Sequence, residues 1–197
     1  LDYTRKVLTV DTYAAGTNFI YGNLHKMKGN LTYAKDGFNW SMRSLEYHSA
    51  SLQQLSEISL MEGDLKSARK QAEKALAYNT LNLNAYKTLA IALRKLNKQQ
   101  QAEEVLADLL EIDPLDHFTL FERYLLNSGS AALADFNNSF KSEMANEEML
   151  EVGLFYANMG LTEEAVEVLE QIPPYPVAQY WLAWLNKEDR EKSETYL

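Results

Sequence analysis

Three residues that lie close together in the sequence have side chains able to bind a metal ion. Asp113, Asp116 and His117 place two carboxylates and an imidazole within five residues, and such groups are ligands of divalent metals. Pro114 lies in the same stretch, and aspartate and proline are typical turn residues without any metal. A turn is the simpler interpretation, and we predict no metal site.

Other residues that enzymes use are scarce. The three histidines, His25, His48 and His117, are far apart in the sequence, and cysteine is absent. The lack of cysteine excludes disulfides, thiolate metal sites and cysteine nucleophiles. Neither a Gly-x-Ser-x-Gly motif nor a glycine-rich phosphate loop occurs in the sequence. We therefore expect a protein that is not an enzyme and that uses no cofactor.

The composition restricts the class of partner. The 197 residues carry a net charge of −9, which argues against nucleic acid, because phosphate binding requires a basic face. No apolar run approaches the roughly 20 residues that a membrane-spanning helix needs. A chain without cysteine suits both the cytoplasm and the periplasm, so no compartment is assigned.

A pattern that recurs after 34 residues organises the stretch 49–116. Leu55 recurs as Leu89, and Ala68 recurs as Ala102. A fixed period of this length indicates stacked structural units that contact mainly their neighbours. We therefore predict a repeat array.

Each copy reads as two amphipathic helices joined by a turn. In the first copy Gly63 suits the end of one helix, where a positive φ is needed, and Asp64 suits the N-cap of the next. Small side chains at Ser56, Ala68 and Ala75 lie where we expect the two antiparallel helices to approach closely. The predicted unit is a helical hairpin.

These residues resemble the tetratricopeptide repeat (TPR) family, whose unit is a helical hairpin of 34 residues with small residues at fixed positions. The same frame extended towards the N-terminus places Gly22, Ala34 and Phe38 at matching positions, and Gly153 and Ala165 match in a later copy. The resemblance covers nearly the whole chain. It implies an all-α fold, an α-solenoid of hairpins that forms a right-handed superhelix.

The frame divides residues 1–197 into one array with irregular parts. Residues 117–145 are a shortened unit in which Ser128, Gly129 and Ser130 separate the helices, and Pro173 and Pro174 help to end the following unit. The predicted units are a partial repeat at 1–14, regular repeats at 15–48, 49–82 and 83–116, the shortened repeat at 117–145, a repeat at 146–175 and a partial repeat at 176–197.

The first residue is Leu1 and no signal peptide follows it, so we expect a fragment of a longer protein. The irregular repeat and the run Tyr180 to Trp184 resemble the helical tail of large bacterial proteins. Truncated ends would expose apolar surface at Trp181, Trp184 and Leu185, and terminal repeats need polar caps. The chain is therefore expected to self-associate through an end.

In the TPR family one stripe of the first helix of each hairpin lines a concave groove, and we name this set of positions the inner stripe. Helical spacing places residues three and four apart on one such stripe. The candidate peptide-binding residues on it are Phe19, Asn23, Lys26, Gln53, Glu57, Leu60, Lys87, Ile91, Arg94, Phe121, Leu125 and Leu154.

Two functions follow from the resemblance. In the first, the array is a non-catalytic scaffold that binds a peptide or protein segment in the groove, with Lys87 and Arg94 facing an acidic side chain and apolar contacts continuing towards Phe121 and Leu125. In the second, it packs against another domain of the same chain, which could be enzymatic or carbohydrate-handling. The basic residues could instead only keep the groove soluble, and Phe121 could belong to the core. A carboxylate clamp for chaperone tails fits poorly, because Asn23 stands beside Phe19 and not beside a lysine.

Overall fold

The computed structural model describes residues 1–127 and 129–196, and within them the only regular secondary structure is α-helix. The chain divides into two compact units, Leu1–Ile112 and Asp113–Leu197. Ser128, part of the predicted break in the shortened repeat, lies outside the described residues, as does Leu197. No helix among the described residues is both long and apolar enough to cross a membrane.

The first unit consists of seven helices in which each packs on its neighbours along the chain. They are α1 (Asp2–Val10), α2 (Ala15–Met27), α3 (Leu31–Ser41), α4 (Leu45–Met61), α5 (Leu65–Tyr78), α6 (Leu83–Lys95) and α7 (Gln99–Ile112). The pairs α2 with α3, α4 with α5, and α6 with α7 form the three predicted hairpins. In addition, α4 packs on both α2 and α6, so the first helices of successive hairpins are neighbours.

The turn between α4 and α5 has the predicted chemistry. Gly63 has a φ of 75°, a left-handed conformation that glycine adopts without steric cost. The Asp64 carboxylate then accepts a hydrogen bond of 3.0 Å from the backbone N–H of Ser67, which caps α5. The corresponding turn between α6 and α7 uses Asn97 at a φ of 58°, because asparagine tolerates this region better than most residues.

Small side chains let α4 and α5 approach closely, as the sequence predicted. Ser56, Ala68 and Ala75 are all completely buried. The Ser56 hydroxyl donates a hydrogen bond of 2.7 Å to the carbonyl of Ala68, and the Ser49 hydroxyl donates one of 2.9 Å to the carbonyl of Ala75. Serine therefore satisfies its own polar group while it keeps the two helix axes close.

The hairpin of α2 and α3 is packed around an aromatic side chain. A Cβ atom at Gly22 would lie 2.8 Å from the ring of Phe38, which is itself fully buried. On the facing helix a Cβ atom at Gly37 would lie 2.6 Å from the carbonyl oxygen of Asn18. These two glycines allow the helix backbones to meet, and Phe38 fills the space beside them.

The described residues of the second unit form six helices. They are α8 (His117–Asn127), α9 (Ser130–Ser139), α10 (Ala145–Asn158), α11 (Thr162–Leu169), α12 (Pro176–Leu185) and α13 (Arg190–Glu194). Its core is rich in aromatic rings, with Phe118, Phe121, Phe136 and Tyr156 all buried. Phe121 lies 5.0 Å from Phe136 and 5.7 Å from Tyr156 between ring centroids, distances typical of favourable aromatic pairs.

Candidate functional site

In the first unit the inner stripe carries a connected polar network. Lys26 of α2 forms an ion pair with Glu57 of α4, and its ammonium also donates to the Gln54 side-chain oxygen at 2.8 Å. The Gln53 amide donates to Glu57, and the Gln54 amide donates to the Gln53 oxygen at 2.9 Å. Two neighbouring first helices are thus linked by four side chains.

The network is shielded from solvent although it is charged. Only 15% of the Lys26 side chain and 11% of the Glu57 side chain are exposed, and Gln53 is buried. Charges at this depth need partners, because an unpaired ion in a low-dielectric environment is strongly unfavourable. The mutual pairing holds these side chains in one arrangement.

Beside the network the stripe of α2 is partly engaged with the core. The Phe19 ring lies 5.5 Å from Phe38 and 5.4 Å from Tyr47 between centroids. The Asn23 amide donates to the carbonyl of Phe19 at 3.1 Å. Both Phe19 and Asn23 are half-buried, so each keeps some surface for a ligand.

The stripe residues of α4 and α6 differ in accessibility. Leu60 is 4% exposed and Ile91 is fully buried, whereas Lys87 and Arg94 are half-buried. Lys87 and Arg94 are seven residues apart on α6, which places them on the same side of the helix. Ile91 therefore supports the packing beneath this surface, and the two cations are its accessible part.

In the second unit the predicted stripe residues fall into two groups. Phe121 is completely buried in the aromatic core, whereas Leu125 and Leu154 are half-buried. The next residue along α8, Glu122, is also completely buried and accepts a hydrogen bond of 2.8 Å from the Tyr156 hydroxyl. Of the two interpretations of Phe121, core residue or docking residue, its burial supports the first.

The residues considered for metal chemistry take part in local structure. Asp116 accepts hydrogen bonds of 2.9 Å from both the backbone N–H and the hydroxyl of Thr119, at the start of α8. His117 lies 2.9 Å from the Ser139 hydroxyl and stacks on Phe140 at 4.1 Å. Among the described residues no group of three or more histidine, aspartate or glutamate side chains is arranged to hold a metal ion.

The other two histidines pack against tyrosine rings of the first unit. His48 lies 3.9 Å from the Tyr78 ring between centroids. His25 is only 3% exposed between Tyr21 and Tyr33, and neither ring nitrogen has a hydrogen-bond partner within the described structure. Burial, with a smaller contribution from nearby positive charge, lowers the pKa of His25 below its usual value of 6.5. The ring is accordingly neutral and acts as a packing group.

Sequence reasoning overlooked a cationic cluster outside the inner stripe. Lys66, Arg69, Lys70 and Lys74 lie three or four residues apart on α5, and this spacing places them on one side of the helix. The spacing was visible in the sequence. The family resemblance places candidate binding residues on the first helix of each hairpin, whereas α5 is a second helix.

Comparison with known proteins confirms the predicted resemblance and the all-α solenoid fold class. Residues 59–118 match the family model described as tetratricopeptide repeat. No curated protein matches the sequence. The similar solved structures below share only 16% to 18% sequence identity with this chain, so the likeness shows the fold alone.

Three of the similar solved structures align with most of this chain and over most of their own length. A thermophilic TPR protein of Thermus thermophilus has a TM-score of 0.59 at 18% identity, over 93% of this chain and 97% of that chain. YrrB, described as a TPR protein with an unusual peptide-binding site, has a TM-score of 0.58 at 17% identity, over 98% and 96%. PilF of Pseudomonas aeruginosa has a TM-score of 0.57 at 16% identity, over 93% and 88%.

Proposed function

We propose that this TPR array is a non-catalytic scaffold that binds a peptide along the inner stripe of α2, α4 and α6. The TPR fold in general supports protein–protein interaction. YrrB, which is similar in fold, is described as having a peptide-binding site. The observation that carries the proposal for this chain is the polar network of Lys26, Glu57, Gln53 and Gln54 on adjoining first helices.

The network suits the recognition of a peptide backbone. An extended peptide presents N–H donors and C=O acceptors in alternation. The part of the network that a peptide can reach is the half-buried Gln54 amide and the exposed fractions of Lys26 and Glu57, which together supply both donors and acceptors. These groups already hold one another in place, so binding orders few additional side chains. Asn23, which is half-buried on the same stripe, adds a further amide.

The charges on α6 favour a peptide with an acidic residue. Lys87 and Arg94 are half-buried on the stripe, and a carboxylate placed against them gains attraction at a partly shielded site. Pairs near the surface contribute about 0.2 to 1 kcal/mol each, so they mainly set the register of the peptide. Phe19 supplies the apolar contact surface in this unit.

The position of His25 supports a non-catalytic role for this residue. Catalysis by a histidine requires a nucleophile or a second acid–base group within hydrogen-bond distance. His25 is buried between tyrosine rings, and neither of its ring nitrogens has a hydrogen-bond partner within the described structure.

Exchange of amide hydrogens for deuterium tests this function. Peptides selected from a random display library against the intact chain are expected to slow exchange in α2, α4 and α6. The double variant Lys87→Glu/Arg94→Glu is expected to bind acidic members of this set roughly two- to thirtyfold more weakly, the equivalent of two lost pairs.

A control with the same change in charge is available on α1. Arg5 and Lys6 are both exposed and neither lies on the inner stripe. Arg5→Glu/Lys6→Glu is expected to leave peptide affinity within a factor of about two, because salt screens the charges of exposed side chains. Equal affinity of wild type and Lys87→Glu/Arg94→Glu, together with protection outside α2, α4 and α6, would contradict the proposal.

A second candidate function is supported by an apolar stripe on α12. Val177, Tyr180 and Trp184 are spaced three and four residues apart and are 43%, 60% and 46% exposed. Exposed apolar stripes of this kind mark docking surfaces, and here the occupant proposed is another domain of the same parent chain. We expect the chain by itself to self-associate through α12.

A further inference from the structure

The side of α5 that carries Lys66, Arg69, Lys70 and Lys74 borders a surface pocket of about 380 Å³. The pocket lies between α5 and the turn that joins α6 to α7, and its lining residues are Lys66, Arg69, Lys70, Glu73, Leu96 and Lys98. Ligand-binding clefts in proteins commonly measure about 300 to 1,000 Å³. The pocket is therefore large enough for a few side chains of a peptide. We call it the α5 pocket.

A second hollow, of about 290 Å³, shares Lys70 with the α5 pocket. Leu52 and Leu55 of α4 and Met42 line it, together with Lys74. Leu52 and Leu55 are almost completely buried, so they lie at the bottom of the hollow. An elongated ligand that crosses α5 at Lys70 can reach both hollows.

The lining of the α5 pocket has an excess of positive charge. Four cations face one anion, and that anion, Glu73, already pairs with Arg69 at 2.7 Å between Oε1 and Nε. Lys66 and Lys70 are exposed. Leu96 and the aliphatic stems of the lysines supply apolar contact surface beneath the charged ends. The pocket thus combines an apolar interior with a cationic rim.

The part of the chain that contains the α5 pocket has a small positive net charge, whereas the remaining part is strongly acidic. Residues 1–112 contain 14 lysines and arginines and 12 aspartates and glutamates, a net charge of +2, whereas residues 113–197 contain 5 and 16, a net charge of −11. A long polyanion such as nucleic acid is repelled by the acidic half. A short acidic segment that covers only α5 avoids this repulsion.

We propose that the α5 pocket and the neighbouring hollow bind an acidic peptide segment of another protein. One large apolar side chain enters on each side of Lys70, and carboxylates of the peptide face Lys66, Lys70 and Lys98. This surface belongs to α5, the turn after α6 and the part of α4 that carries Leu52 and Leu55. It includes none of the candidate residues of the inner stripe. The array would then hold two partners, or two parts of one partner, on different helices of the same hairpins.

Selection from a random peptide display library against the intact chain, followed by affinity measurement, tests the proposal. We expect one class of recovered peptides to be acidic and to carry large apolar residues, and to slow deuterium exchange in α5 and the turn after α6. Lys66→Glu/Lys70→Glu is expected to weaken this class about tenfold or more, because repulsion replaces attraction at two contacts. Replacing glutamate by glutamine in the peptide is expected to have a similar effect.

Matched controls separate this site from general charge effects and from the inner stripe. Arg5→Glu/Lys6→Glu changes the net charge equally, and Lys87→Glu/Arg94→Glu alters the inner stripe, and both are expected to leave this peptide class within about twofold of wild type. Leu96→Ser is expected to weaken binding, whereas Leu81→Ser, at a leucine that is 68% exposed in the turn after α5, is not.

Three results would overturn the proposal. The first is the absence of acidic peptides among those recovered, and the second is equal affinity of wild type and Lys66→Glu/Lys70→Glu for them. The third is displacement of the peptide by inorganic phosphate at constant ionic strength, which would make the α5 pocket a site for small anions. If no peptide binds the inner stripe, peptides bound at the α5 pocket still slow deuterium exchange in α5. The two proposals can therefore be distinguished.

Discussion

At the level of single residues, the contact between α4 and α5 depends on side chains no larger than alanine or serine. Ala68 is completely buried and its carbonyl oxygen accepts a hydrogen bond from Ser56 at 2.7 Å. A side chain with additional methylene groups at this position must either push the helix axes apart or adopt a strained rotamer. The position therefore restricts side-chain size more strongly than it restricts polarity.

We expect Ala68→Leu to lower the free energy of unfolding by about 1 to 3 kcal/mol, because overpacking separates the two helices. Urea denaturation followed by circular dichroism measures the change. Ala77→Leu is the matched control, since Ala77 is exposed on the same helix, and its effect is expected to stay within about 0.5 kcal/mol. Equal stability of Ala68→Leu and wild type would mean that the repeat frame is misplaced.

His25 is expected to make stability depend on pH in a particular direction. Burial lowers the pKa of His25 in the folded state below the usual 6.5, so as the pH falls below about 6.5 the unfolded chain binds a proton that the folded chain does not. The free energy of unfolding should consequently decrease as the pH falls from about 6.5 towards the lowered pKa.

Replacement of this histidine isolates its contribution from that of the carboxylates. His25→Phe keeps a ring between Tyr21 and Tyr33 but cannot titrate, so its stability should vary less with pH over the same range than that of wild type. Urea denaturation at a series of pH values gives both curves. Parallel curves would show that His25 is protonated equally in the folded and unfolded states.

At the level of helices, the turn between α4 and α5 was predictable from its residue types. Gly63 and Asp64 mark the end of α4 and the start of α5, and both have the expected conformation or hydrogen bond. The start of α4 differs: the helix begins at Leu45, whereas the repeat frame placed the unit boundary at residue 49. A fixed period aligns equivalent positions, but it carries no information on how far a helix extends into the preceding turn.

The candidate site was predictable in part. The family resemblance assigned Lys26 and Glu57 to the inner stripes of two different first helices. It could not indicate that they pair, because pairing depends on the distance between α2 and α4. Spacing also could not distinguish Ile91 and Phe121, which are fully buried, from half-buried residues such as Lys87. Burial depends on which neighbouring side chains fill the space, and this follows only from the packed structure.

The exposed stripe of α12 leads to a prediction about association. Tyr180 and Trp184 are large aromatic side chains that are 60% and 46% exposed, and burying them against a second copy is favourable by the hydrophobic effect. We expect the wild-type chain to self-associate at high concentration, and Tyr180→Ser/Trp184→Ser to remain monomeric, in sedimentation velocity experiments.

The control for this experiment removes exposed apolar side chains elsewhere. Leu81 and Leu115 are 68% and 81% exposed, and Leu81→Ser/Leu115→Ser is expected to associate as wild type does. A wild-type chain that is monomeric at every concentration would count against the α12 stripe as a docking surface. So would equal association of both double variants.

At the level of the whole molecule, the charges are divided unequally between the two units. Residues 113–197 carry a net charge of −11 and residues 1–112 a net charge of +2. Repulsion among like charges destabilises a compact unit, and salt at physiological concentration limits this repulsion to a distance of about 8 Å. Salt should therefore affect the stability of the two units differently.

We expect added sodium chloride to slow amide hydrogen exchange in residues 113–196 more than in residues 1–112, because only the second unit has a large net charge to screen. Mass spectrometry of peptic fragments resolves the two parts of the chain in one experiment. A matched series in sucrose, which stabilises proteins without screening charge, is expected to slow exchange in both. Equal effects of salt on the two units would contradict this account.

The helices pack mainly on helices that are one or two places away along the chain, such as α4 on α2, α3, α5 and α6. Forming such contacts closes only short loops, and proteins dominated by local contacts fold in about microseconds to milliseconds. The hairpin of α4 and α5, with its serine-to-carbonyl hydrogen bonds, can form without waiting for distant parts of the chain. We infer that folding of the first unit begins there and spreads in both directions, so that Ala68→Leu slows folding while substitutions in α1 chiefly accelerate unfolding.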